Sequence, residues 1–235
     1  MNLITGDTSH EANGNQRCPL IESRSRIIHL GNQELRPITF EQISTDDLNR
    51  LCYISAEGFR KESVTKALIS DVGSHLRGAN LLYLLYTREE EISGFICLDV
   101  FNTQYQGRDI RVLQIQGIVL SSLAKGLGIY IVEELVNSFN IDAIAFHTVS
   151  EPMRRLGDSV NGRYDYNLAI RIAERLGSDV GNIEIRHPSI DYTLVVERER
   201  YGGPLYGQPL NGKRVLGITE EEELLGHAGV FVFLL

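Results

Sequence analysis

The chain has 235 residues, 43% of them hydrophobic, with 23 Lys and Arg against 31 Asp and Glu, a net charge of −8 and a sequence pI near 5.3. That length admits one large domain or two small ones with a real core, which excludes global disorder. The acidity excludes a protein whose task is neutralising nucleic-acid phosphates, and it disfavours an anionic membrane surface. Cys18, Cys52 and Cys97 are odd in number, widely spaced and without a C-x-x-C, so neither a disulfide framework nor a zinc knuckle is read from them. A reducing, cytoplasmic setting is the expectation. Residues 1–25 hold no apolar signal-peptide segment, and no stretch approaches the ~20 apolar residues of a membrane span.

Residues 1–24 lack periodicity and read as a loosely ordered arm before one domain over 25–235. Ile27, Ile28 and Leu30 start a strand, and Pro37 to Phe40 supply a second. Ser44 with Asp47 three residues on is a capping-box start, after which Leu48, Leu51, Cys52, Ser55 and Phe59 share a helical face. A second helix carries Val64, Ala67, Leu68 and Val72 and is expected to end near Gly73. Leu81–Tyr86 and Ile92–Phe101 form an antiparallel hairpin, Asn102–Asp109 reads as a polar loop, and Ile110–Leu120 as a long strand. Ser121–Gly128 then leads into a helix with Ile129, Val132, Leu135, Val136 and Phe139 at helical spacing. Ile141–Thr148 is a short buried strand, Pro152 opens a helix, and Tyr166–Leu176 is another. Tyr192–Glu197 and Gly229–Leu234 are the final strands, and the long connection between them has a capped helix start at Glu220–Glu223 after Thr219.

The junction from Ile110 to Phe139 is the most informative. A strand that ends in small residues and glycine and then opens a helix leaves backbone N–H groups unpaired beside the positive end of the helix dipole. That is an anion cradle suited to a pyrophosphate. A Rossmann fingerprint would need glycine at position 131, where Ile131 stands, and a Walker A loop would need Gly-Lys-Ser/Thr, which is missing.

The run Ile115-Gln-Gly-Ile-Val-Leu-Ser-Ser-Leu-Ala-Lys-Gly-Leu-Gly-Ile-Tyr-Ile-Val-Glu-Glu-Leu resembles the strand, R/Q-x-x-G-x-G/A loop and helix of the acetyl-CoA-dependent GNAT N-acetyltransferase superfamily. The resemblance is strongest over residues 112–140, and the element order extends it to about 26–235. It implies a single α/β (α+β) domain with a mixed, mostly antiparallel central sheet flanked by helices and splayed at the cofactor cleft. It also implies acetyl-CoA as acyl donor, with Leu123, Ala124, Lys125, Gly126, Leu127 and Gly128 as the pyrophosphate loop. Ile118, Val119 and Leu120 would lend their backbone to the pantetheine arm as to an added strand. Leu123 stands where the family usually has Arg or Gln, and Leu120 where it often has Pro; the loop needs mainly backbone N–H groups and little side-chain bulk, so losing the Arg weakens recognition more than it breaks the geometry. Gly117, inside a strand, is independently a bulge candidate.

Catalysis of the kind the resemblance implies is direct attack of an amine on the thioester, with a base for the ammonium and an N–H for the developing oxyanion. It sets the oxyanion donor near the backbone of Gln116 and leaves Val112 where some relatives carry a glutamate base. Period-two geometry puts Val112, Gln114 and Gln116 on one face, so the two glutamines could hold a water chain. Asp99 and His147 are the other candidate bases, and Tyr164 is the nearest tyrosine for an acid. Plainer readings stand beside these: Gln114 and Gln116 as solvated sheet residues, His147 as a satisfied core histidine, Lys125 as a loop lysine, Arg154 and Arg155 as a solvated helix end or as phosphate ligands. The six His form no metal-ligand pattern. The resemblance implies that the connection before the last strand frames the acceptor site; its Tyr201, Tyr206 and acidic run would then form a lid suited to a cationic amine, the plainer reading being turn chemistry with tyrosines over the core and an acidic run facing away. The acceptor is then a small-molecule or peptide amine, with no nucleic-acid or membrane partner, and a homodimer stays open. The alternative from another class is a catalytically silent CoA-binding or interaction protein on the same fold.

Overall fold

The computed structural model describes residues 26–59, 61, 63–176, 178, 180–201, 204 and 213–235. The expected arm over 1–24, and Tyr206 with most of the turn after Tyr201, lie outside them.

β1 (Ile28–Leu30) and β2 (Gln33–Ile38) form a hairpin about Gly31 at φ 65°. β2 begins earlier than expected because Gln33 and Leu35 both turn into the core. In α1 (Thr45–Gly58) the Ser44 hydroxyl accepts the Asp47 N–H at 3.1 Å and the Asp47 carboxylate accepts the Ser44 N–H, the reciprocal cap expected there. α2 (Lys66–Gly78), capped by Thr65, runs past Gly73 because Leu76 completes the stripe of Leu68 and Val72. β3 (Leu81–Thr87) pairs with β4 (Ile92–Tyr105), and β4 with β5 (Arg108–Leu120). The expected loop Asn102–Asp109 is instead strand down to a two-residue turn, with Gln106 at φ 49° and Gly107 at φ 76°. Two successive positive φ values match the strand twist, which lets the ladder run to its end.

Next come α3 (Gly128–Phe139), β6 (Ala143–Thr148), α4 (Glu151–Ser159), the short β7 (Arg163–Tyr164) and α5 (Tyr166–Arg175). β8 (Ile183–Ser189), β9 (Tyr192–Glu197), α6 (Glu220–Leu224) and β10 (Ala228–Leu234) complete the chain. The result is a mixed α/β domain on one ten-stranded sheet of order β1-β2-β3-β4-β5-β6-β10-β9-β8, with β7 on β10. Every pairing is antiparallel except β5 with β6. No helix among the described residues is long and apolar enough to cross a membrane.

Alternation sorts the side chains onto two faces. One face packs α3 and α4 over Leu113, Ile115, Ile144 and Phe146. On the other, α1 and α2 cover Leu84, Phe95 and Val119, while α5 covers Val112, Ala145 and Val232 in a separate cluster. Between these two clusters the strands carry polar side chains.

Candidate functional site

β5 and β6 run together for only four register pairs, from Val112 with Ala143 to Ile115 with Phe146. Beyond them β5 continues to Leu120 beside β4 alone, and His147 and Thr148 of β6 pair only with β10. The parting begins at a bulge: Leu98 opposes Ile115 and Cys97 opposes Gly117, so Gln116 is the extra residue. A bulge bends its strand and sharpens its twist, which swings the end of β5 away from its parallel neighbour. The bulge thus falls one residue before Gly117, and the period-two alignment holds for Val112 and Gln114 but is interrupted at Gln116. The backbone edge of Ile118, Val119 and Leu120 toward β6 has no strand partner among the described residues.

Directly after β5, Ser122–Ala124 make a 3-10 turn, Gly126 adopts φ 87°, and α3 begins at Gly128. The N–H groups of Leu123, Gly126, Gly128, Ile129 and Tyr130 have no hydrogen-bond partner among the described residues. The buried Ser121 hydroxyl is also unpartnered. Donors of one sign thus converge at the positive end of a twelve-residue helix. Leu123 and Lys125 are exposed, Ala124 is buried, and Leu127 is half-buried.

Three residues that the sequence reading missed hold this loop. Gln33 donates from Nε2 to the Leu123 carbonyl at 2.9 Å and accepts the buried Ser93 hydroxyl at 2.9 Å. The Ser93 carbonyl accepts the Ser121 N–H at 2.9 Å. The Glu57 carboxylate accepts the Ser122 N–H at 2.9 Å, and hydrogen bonds from Ser122 hold it below the usual carboxylate range. Their partners are 90, 28 and 65 residues distant, beyond any local pattern.

The polar strip lies on the face shared by α1, α2 and α5. Asp99 of β4 stands opposite Gln114 of β5, which stands opposite Ala145 of β6. Gln114 is 4% exposed and its Oε1 has no partner; Asp99 and Gln116 are half-buried. His147, two residues beyond Ala145, lies on the same face. Its Nε2 is 2.8 Å from Oε2 of Glu197, with both side chains buried. The contact is within hydrogen-bond distance, and neither atom has another partner among the described residues. Arg200 donates to the other carboxylate oxygen at 3.3 Å. Burial pushes the His147 imidazole below its ordinary value, favouring the neutral ring. Burial acts to raise the Glu197 carboxyl, and His147, Ser178 and Arg200 together more than reverse it.

No family model matches the sequence, and no curated protein matches it with significance. Among solved structures, the chain is similar to the acetyltransferase (GNAT family) from Bacillus anthracis, at 12% identity over 89% of this chain and 98% of that one, TM-score 0.43. It is similar to an Arabidopsis thaliana protein in complex with a bisubstrate analogue, at 14% identity over 86% and 99% of the two chains, TM-score 0.40. It is also similar to a probable N-acyltransferase from Enterococcus faecalis, at 12% identity and TM-score 0.37, covering 52% of this chain but only 31% of that one.

Several expected residues are not brought to the strip. Tyr164 packs against both the α3–α4 and the α5 clusters, with its ring 5.6–6.4 Å from those of Tyr192, Phe231 and Phe233, because β7 sets it opposite Phe233. Arg154 is engaged by Glu151 and Asp158, and Arg155 by Glu151, all within α4. The acidic run is committed to the chain's own cations: Glu222 meets Arg186 at 2.7 Å and the buried Glu223 meets Arg214 at 2.6 Å. The stretch after Lys213 is strapped down, with Val215 donating to the Val149 carbonyl and Glu151 to that of Lys213. Tyr201 does approach the strip, donating to the His147 carbonyl at 3.3 Å, with its phenol pushed up to about 12 by burial. Glu197 and Arg200 were missed as well; the only local signal is a carboxylate closing the apolar run Leu194–Val196.

Proposed function

We propose that this chain is an N-acetyltransferase of GNAT type that transfers an acetyl group from acetyl-CoA to a small-molecule or peptide amine in a ternary complex. The observation that carries the reading is the parting of β5 from β6 at the bulged Gln116, immediately before a loop of unpartnered N–H groups. Acetyl-CoA supplies an activated acyl group as a thioester. Leu123, Ala124, Lys125, Gly126, Leu127 and Gly128 would hold its pyrophosphate through backbone N–H groups, joined by the orphaned Ser121 hydroxyl. Ile118, Val119 and Leu120 would take the pantetheine amides as an added strand on their free edge. The extra residue of a bulge is left out of the ladder, so the backbone N–H of Gln116 is the donor for negative charge developing on the acyl oxygen. Gln114 and Gln116 would orient water for the proton leaving the acceptor ammonium, and Asp99 and His147 are the titratable groups on that strip. A cytoplasmic setting accompanies this reading.

The test is calorimetric titration of the full chain with CoA, followed by thiol release from acetyl-CoA across a panel of amines. Gly126 is a poor place to disturb the loop, because any side chain at φ 87° is strained. Gly128 is a better one, since an added Cβ there meets only Leu120 Cδ1, at 3.8 Å. Gly128→Asp is expected to keep or raise thermal stability, because a carboxylate suits a helix start, while weakening CoA binding at least about tenfold, or about 1.4 kcal/mol. Unchanged CoA affinity in that variant would remove the loop assignment. A second reading rests on Val112, fully buried where some relatives carry the base: CoA binding without thiol release for any amine selects the silent CoA-binding protein.

A further inference from the structure

We propose that His147 accepts the proton of the acceptor ammonium and that Glu197, anchored by Arg200, is the positioning residue that fixes the imidazole's tautomer. The acceptor rests on the acyl-transfer reading; the pairing itself does not.

Three observations converge. First, Ile115 with Phe146 is the last parallel pair, so His147 is the first residue of β6 beyond the point where the two strands part. Second, His147 and Glu197 lie on strands that are not neighbours; β10 runs between them, and they meet diagonally over Ala228, the partner of Glu197. A larger residue at 228 would fill that path. Third, the two atoms of the 2.8 Å contact are buried and have no other partner among the described residues, so each is left to the other. Strand pairing through β10 already fixes β6 and β9, so the sheet has no need of a buried carboxylate, which is costly to keep. His147 chiefly, with Ser178 and with Arg200 on the other oxygen, keeps Glu197 ionised.

Facing an ionised Glu197, the neutral ring carries its hydrogen on Nε2. Nδ1 then holds the free lone pair, and it has no hydrogen-bond partner among the described residues. The acceptor's N–H bond breaks, its proton moves to Nδ1, and the electron pair stays on nitrogen for attack. The imidazolium so formed is stabilised by Glu197 and later returns the proton to water. The groups around His147 are Glu197 of β9 and Arg200 beside that carboxylate, with the Tyr201 hydroxyl on the His147 carbonyl; Gln114 lies on the neighbouring β5, and Asp99 stands opposite Gln114.

The experiment is nitrogen-15 NMR of the full chain labelled at histidine, with His147 assigned by its loss in His147→Gln. The expected wild-type result is an Nε2–H tautomer at neutral pH. In Glu197→Gln that preference is lost and the titration midpoint falls. In thiol-release assays Glu197→Gln is expected to lower kcat roughly 10- to 100-fold with KM for acetyl-CoA unchanged, Glu197→Asp to keep part of kcat, and His147→Gln to lose between about 10² and 10⁴. An Nδ1–H tautomer in the wild type overturns the proposal even if no variant folds. So does a Glu197→Gln spectrum with tautomer and midpoint unaltered. Failure of acetyl-CoA to bind sinks the parent reading and leaves the spectrum to decide the pairing.

Discussion

Gln33 illustrates how one side chain can govern a distant loop. It is 5% exposed, and its amide is used at both ends, donating to Leu123 and accepting from Ser93. Gln33→Leu keeps the volume and removes both bonds, leaving the Leu123 carbonyl unheld and the Ser93 hydroxyl with only the Leu85 carbonyl at 3.2 Å. A loss of about 1–3 kcal/mol is expected in urea denaturation, with weaker CoA binding in calorimetric titration. A normal CoA affinity in a destabilised variant would show that the loop holds its shape without Gln33. At this scale the sequence is legible where chemistry is local: Lys125, Gly126 and Gly128 announce the loop because turn and helix start need those residues in order. Gln33, Ser93 and Glu57 look like any other polar residues, because their meaning comes from partners that only the folded sheet brings near. His147 was visible as a histidine in an apolar strand, but nothing nearby in sequence could have paired it with Glu197.

Elements were legible to the extent that each carries its own period and its own stop. Ser44 with Asp47 gives α1 its start, and Thr219 with Glu222 gives α6 the same reciprocal cap. β8 was missed because it is an edge strand whose residues are half or fully exposed and include Pro188, so neither apolar alternation nor propensity marks it. The tip of the β4–β5 hairpin was misread as loop because Gln is an uncommon partner for Gly in a turn with two positive φ values. Gln106→Asn supplies the residue that tolerates φ 49° best, and a gain of about 0.5 kcal/mol in urea denaturation is expected. No gain would mean that Gln106 is held there by contacts other than its own backbone preference.

For the molecule as a whole, acid is expected to act in two stages. The His147 imidazole lies below its ordinary 6.5 when folded, so as pH falls through 6.5 the unfolded chain takes up a proton that the folded chain refuses. Stability is therefore intact above about pH 6.5 and declines below it, by at most about 1.4 kcal/mol per pH unit for one proton. Glu57, Glu151, Glu184, Glu197 and Glu222 are all held below 4.5. Their contribution is present above that value and is lost as pH falls through their folded-state values. Urea denaturation at pH 8, 6 and 5 measures the first stage, and His147→Gln should flatten it; an unchanged slope would assign it to another group.

The four register pairs between β5 and β6 carry a further consequence. β1 to β5 lie in one half of the sheet and β6 to β10 make up the other, so the two half-sheets share one short seam of strand pairing, with α3 and α5 packed across it. A cut after Asn140, at φ 50° at the close of α3, would leave each half-sheet whole, so the two pieces, like the halves of a torn ticket, are expected to reassemble when mixed.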